Sequence, residues 1–150
     1  MMVISDGMRG IITRIAAKHG LDLTHPGDHL RLEMPNYLPL VIETLPGDQV
    51  SIAHYEEQHG DPMRDPEVVF MVQNGEWVAV EITQDYVGKY KRVVWQENGV
   101  GPWQFDRVAQ ADLASFVRTW SRNIRAQGWL DNGVKDNSST SYLDEIDTTS

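Results

Sequence analysis

Glu67-Val68-Val69-Phe70-Met71-Val72-Gln73-Asn74-Gly75-Glu76-Trp77-Val78-Ala79-Val80-Glu81-Ile82-Thr83 is the stretch that decides the fold. Two runs rich in β-branched and aromatic residues flank Asn74-Gly75, the pair that type I′ hairpin turns prefer because both central residues need positive φ. Pairing Val72 with Trp77 places Val68, Phe70, Val72, Trp77 and Ala79 on one face. Val69, Met71, Val78, Val80 and Ile82 then occupy the other, so both faces are apolar and both need cover. Helices are expected over one face, and a loop layer or a second subunit (a homodimer) over the other.

Upstream of this hairpin, Leu45-Pro46-Gly47-Asp48 reads as a turn between Leu38–Leu45 and Val50–Tyr55, and aligning 45 with 50 brings Val41 opposite His54. Pro39 favours an edge or the start of a strand. An earlier strand covers Leu30–Glu33, after the turn-forming His25-Pro26-Gly27-Asp28, and Lys89–Gln96 makes the last strand. At the N-terminus Asp6 caps a helix whose Met8, Ile11, Ile12 and Ile15 recur at helical spacing and which Gly20 ends. Downstream, Gln110–Gln127 carries the stripe Leu113, Phe116, Val117, Trp120 and Ile124, closed by Gly128. The order helix, strands, helix implies an α+β domain over 1–131, with an antiparallel β-sheet of about five or six strands flanked by the two helices. Residues 132–150 hold few apolar side chains among Asn, Ser, Thr and Asp, and are expected to form a disordered acidic tail.

The chain has 150 residues, no cysteine and a formal charge of −9. Without cysteine there is no disulfide framework, thiolate metal site or cysteine nucleophile. Neither a signal peptide nor an apolar run long enough to span a bilayer is seen, so a cytoplasmic protein is expected. The acids are clustered: between Glu43 and Asp85 ten face Arg64 alone, and between Asp131 and Ser150 five face Lys135. Such a surface repels phosphates, so direct nucleic-acid binding is not expected, whereas a basic protein partner or a cation is electrostatically favoured.

The segment His54-Tyr55-Glu56-Glu57-Gln58-His59-Gly60-Asp61-Pro62-Met63-Arg64-Asp65-Pro66-Glu67 joins the two hairpins and holds two histidines and five acids in its fourteen residues. A metal-assisted hydrolase would use His54, His59, Asp61 and Asp65 as ligands and Glu57 as base. Yet the histidines are five apart rather than four, and the zincin pattern is absent. A turn shaped by Gly60, Pro62 and Pro66 explains the segment without metal, and His54 fits a core-edge histidine. Glu81, sharing a face with Trp77 and Ala79, would need a lysine at position 83 to match a Glu-x-Lys nuclease, and Thr83 stands there. No phosphate loop, nucleophile elbow or dinucleotide fingerprint is present, and no cofactor or resident metal is expected. On the last helix Arg118, Arg122 and Arg125 share one basic face, which suits either an anionic partner or, more simply, a solvated surface that neutralises neighbouring acids or the tail.

Pro39-Leu40-Val41-Ile42-Glu43, Ala53-His54-Tyr55 to Gln58, Gly60-Asp61 with Met63, Asp65-Pro66-Glu67, Gln84-Asp85 to Gly88-x-Tyr90 and the closing Trp120 to Gly128 together resemble an uncharacterised domain of plasmid, phage and conjugative-element proteins. The likeness spans roughly 38 to 128, while the acidic tail and Pro62 depart from it. The resemblance implies a mobile-element setting, among proteins deployed against host defence or during element transfer, and says little of activity. The expectation is a non-enzymatic protein-interaction domain with an acidic binding surface made of His54, Tyr55, Glu57, Gln58, Asp61, Asp65, Gln84 and Asp85.

Overall fold

A computed structural model of the chain describes residues 1–136. Helix α1 (Asp6–His19) is followed by six strands, β1 (His29–Glu33), β2 (Leu40–Leu45), β3 (Gln49–Gln58), β4 (Asp61–Gln73), β5 (Glu76–Gln84) and β6 (Lys89–Arg92). A 3₁₀ turn over Asp85–Val87 links β5 to β6. Then come β7 (Val94–Trp95), β8 (Gln104–Phe105), α2 (Arg107–Gln127), α3 (Trp129–Asn132) and β9 (Val134–Lys135). The architecture is α+β. A seven-stranded antiparallel sheet runs β6-β5-β4-β3-β2-β1-β9, and β7 and β8 pair with each other.

The β4–β5 hairpin turns at Asn74 and Gly75, both with positive φ (52° and 78°), and Val72 pairs with Trp77. Its register nevertheless shifts: Phe70 pairs with Ala79 while Val69 pairs with Glu81, leaving Val80 as the extra residue of a β-bulge. The bulge exchanges the faces beyond it. Ile82 therefore lies with Val68 and Phe70, and Glu81 with Val69, not with Trp77 and Ala79 as strict alternation predicts. The first hairpin is corrected in the same way. Gly47 and Asp48 both take positive φ, so the loop has three residues and Leu45 pairs with Gln49, which sets His54 opposite Leu40 rather than Val41.

The three helices cover the face that carries Leu30, Leu32, Leu40, Ile42, Val50, Ile52, Val68 and Phe70, all at most 2% exposed. Burial of this order contributes about 1.5–3 kcal/mol for each large side chain. Buried Met8, Ile11, Ile12 and Ile15 supply the α1 contribution, and Gly20 closes that helix with φ 73°. Ser5 rather than Asp6 occupies its cap position. Helix α2 begins at Arg107, earlier than periodicity suggests, because the Asp106 carboxylate accepts a hydrogen bond from Ala109 N at 3.0 Å. Its stripe holds at Leu113, Val117, Trp120 and Ile124, but Phe116 is 38% exposed and Gln110 is buried instead. Gln110 bonds both Val3 N (2.8 Å) and Val3 O (3.0 Å), fastening the N-terminal segment to the core.

The expected last strand over Lys89–Gln96 is divided at Val93, whose N–H donates to Val80 O of the bulge. Val134–Lys135, inside the stretch read as tail, pairs with β1, and Asp136 lies 3.4 Å from the Arg31 guanidinium. The remainder of that tail, 137–150, lies outside the described residues. Among the described residues no helix is long and apolar enough to cross a membrane.

Candidate functional site

The segment that the sequence presents as a connection is strand. Pairing of β2 with β3 stops at Leu40–His54, and pairing of β5 with β4 stops at Thr83–Glu67. Beyond those points β3 and β4 run on as a two-stranded ribbon, with pairs Tyr55–Arg64, Glu56–Met63, Glu57–Pro62 and Gln58–Asp61. His59 (φ 54°) and Gly60 (φ 84°) close it, a left-handed pair that glycine makes inexpensive at the second position. Pro62 is tolerated because a ribbon edge does not require its missing N–H. Glu56, Glu57, His59 and Asp61 are exposed along it.

The 3₁₀ turn after β5 braces this ribbon through Arg64. Asp85 Oδ2 accepts from Arg64 N and Nε, both at 2.8 Å, and Oδ1 accepts from Nη2 at 3.2 Å. Arg64 Nη1 reaches Glu67 Oε1 at 3.5 Å, and Glu67 Oε2 accepts from Ser51 Oγ at 2.7 Å. The chain Ser51–Glu67–Arg64–Asp85 thus crosses β3 and β4 to the turn. Burial acts to raise the Asp85 pKa, but the hydrogen bonds and charge of Arg64 outweigh it and hold the carboxyl below its ordinary value. Tyr86 donates to the Glu56 carboxylate and Tyr90 to Glu81 Oε2 at 2.5 Å; these bonds raise both phenol pKa values. A charged pocket of about 470 Å³ opens here, lined by Arg64, Glu67, Glu81, Thr83, Asp85 and Tyr90 among others.

Asp85 is therefore tied to the 54–67 segment, and Gln84, half-buried, ends β5 just before it. Glu57 and Asp61 lie exposed on the ribbon, Asp65 is half-buried at its base, and the Gln58 backbone pairs with Asp61. Tyr55 is buried, with the Arg31 guanidinium 5.2 Å from its ring centroid. His54 stands apart on the helix-covered face, its ring 5.6 Å from that of Trp120 and 5.8 Å from that of Trp129, with Nδ1 3.3 Å from Leu38 O. Burial lowers its pKa against the opposing pull of the Leu38 and Pro39 carbonyls and Asp65. It is a core-edge histidine. Among the described residues no three His, Asp or Glu side chains group so as to hold a metal ion. Sequence reasoning missed Arg64, Glu67, Ser51, Tyr86 and Tyr90. The signal for Arg64 was present, since it is the one lysine or arginine between Glu43 and Asp85.

Fold and site together define an α+β domain in which an antiparallel meander, backed by helices, extends a braced acidic ribbon. The chain belongs to the family described as Domain of unknown function (DUF6908), whose model matches residues 10–130. Comparison with curated proteins and with solved structures gives no match.

Proposed function

We propose that this protein is a non-enzymatic interaction domain whose acidic ribbon, together with the turn at Asp85–Val87, docks a basic protein partner. The supporting observation is the bracing itself: Asp85 and Glu67 engage Arg64, leaving exposed Glu57 and Asp61, together with Glu56 held in place by Tyr86, as the charge the ribbon presents above half-buried Asp65. Exposed Tyr86 (43%) and Val87 (72%) stand beside these acids and supply the apolar contact that interface centres use. The setting we propose is the bacterial cytoplasm, with the protein carried by a mobile element and acting against host defence.

Hydrolysis by His54, His59, Asp61, Asp65 and Glu57 lacks comparable support. His54 is enclosed by Trp120 and Trp129, whereas His59 is exposed at the ribbon end, five residues and roughly 16 Å along an extended strand.

The test is a pull-down from bacterial lysate with the wild-type chain and with Glu56→Lys/Glu57→Lys/Asp61→Lys. The reading expects captured proteins that elute at raised salt and are lost with the variant. An unchanged set of captured proteins would overturn it.

A further inference from the structure

On the side of β6 that faces the helices, the sheet and α2 enclose a slot of about 160 Å³. Its floor is apolar: Val93 is 1% exposed, Leu113 5% and Ile82 6%. Phe116, which leaves the core stripe and is 38% exposed, forms one rim. Lys89 and Lys91 form the opposite rim, and neither makes an ion pair among the described residues. Asp112 and Gln84 complete the wall.

Two further observations bear on what this slot fits. Among the described residues strand β6 ends the order of the sheet and pairs only with β5. All of Lys89–Arg92 is exposed, so among the described residues the outer side of its backbone has no strand partner and offers an edge to another strand. The charge there is also unlike the rest of the chain. Three of the thirteen lysines and arginines of a −9 protein fall within these four residues, and two of them point at the slot. Lysines on an edge strand also discourage edge-to-edge pairing of like copies, so a second β6 is the wrong occupant. A cavity of about 150 Å³ accommodates a benzene ring, so one phenylalanine- or leucine-sized side chain fits the slot.

We infer that the β6–α2 groove is a docking site for an acidic peptide in extended conformation. The peptide adds along β6, seats one large apolar side chain over Ile82, Val93, Leu113 and Phe116, and sets flanking carboxylates against Lys89 and Lys91. The groove contains no residue of the acidic ribbon, although Lys89 also borders the charged pocket beside Asp85, and its rim is of opposite charge, so its partner differs in chemistry from the ribbon's.

The experiment is fluorescence anisotropy at low and moderate salt, using the whole chain and a labelled synthetic peptide in which a central phenylalanine is flanked on both sides by alternating Asp and Thr. A second peptide replaces the phenylalanine with serine. Saturable binding is expected, weaker by about tenfold or more for the serine peptide, as loss of a buried aromatic side chain dictates. Lys89→Glu/Lys91→Glu and, separately, Phe116→Asp are expected to abolish measurable binding with melting temperatures held near wild type, while the ribbon variant Glu57→Lys binds as wild type does. Equal binding of the two peptides would reduce the groove to diffuse charge attraction and overturn the inference. So would failure of the phenylalanine peptide to bind at low salt, or undiminished binding by the lysine variant.

Discussion

Replacing Asp85 by alanine removes the acceptor of three hydrogen bonds from Arg64, one from its backbone N and two from its guanidinium. Hydrogen bonds to charged groups contribute about 1.5–3 kcal/mol each when well shielded. Here the Arg64 and Asp85 side chains keep 27% and 22% of their exposure, and Arg64 retains Glu67, so water and the second acid recover part of the loss. The net cost is about 2–3 kcal/mol, which for a chain of this size lowers the melting temperature by roughly 5–10 °C. The pH dependence follows from the sign of the shift. Asp85 has a depressed pKa in the folded chain, so its contribution is complete above the unfolded carboxylate value of about 3.9 and is lost as pH falls below it. Thermal unfolding followed by circular dichroism from pH 7 down to about pH 3 should show wild type and Asp85→Ala well separated at neutral pH and converging in acid. A double-mutant cycle with Arg64→Leu should give a coupling of about 1–3 kcal/mol. Melting temperatures equal at pH 7, or a gap that persists undiminished in acid, would refute the bracing argument.

His54→Gln bears on the core-edge role. Because burial depresses the His54 pKa, the wild-type chain loses stability as pH falls from about 6.5 toward the folded value. Urea unfolding at pH 7.5 and pH 5 should therefore show a smaller pH-dependent loss for the variant, and an unchanged loss would exclude the burial. Gln110→Ala should cost about 2–3 kcal/mol, since it strands the polar groups of Val3 and opens space beside Ala79, and amide exchange at Val3 should accelerate; protection of Val3 equal to wild type would contradict the tie. Phe70→Ala, at a fully buried ring 5.3 Å from that of Trp77, should cost about 3–5 kcal/mol in chemical denaturation.

The fold class was legible because its strongest signals are local. Asn74-Gly75 fixes one turn, and Met8, Ile11, Ile12 and Ile15 fix one helix face, without reference to the rest of the chain. Registers were less legible. Val78-Ala79-Val80 is apolar on either face, so nothing in the alternation marks Val80 as the extra residue, and the exchange of Glu81 and Ile82 stayed hidden. The loop at Pro46-Gly47-Asp48 gains a residue because an aspartate accepts positive φ, and propensity alone discourages that choice. The ribbon was hidden by composition, since its prolines and acids are those of a loop, and only pairing with a second strand makes them a ribbon. For the same reason the acidic cluster was visible while its brace was not: Arg64 and Asp85 are twenty-one residues apart, and the Asp85–Val87 turn brings them together.

Site-specific photo-cross-linking tests the central claim most directly. A photoreactive phenylalanine analogue is placed at Glu57 on the ribbon or at Val87 on the turn, and at Thr13 on the exposed side of α1 as control, in the full chain expressed in a bacterial host. The account expects discrete protein adducts from positions 57 and 87 that disappear when Glu56 and Asp61 are reversed to lysine, and none from position 13. Adducts of equal yield from position 13, or adducts at 57 and 87 indifferent to the charge reversal, would contradict the acidic ribbon as the docking surface.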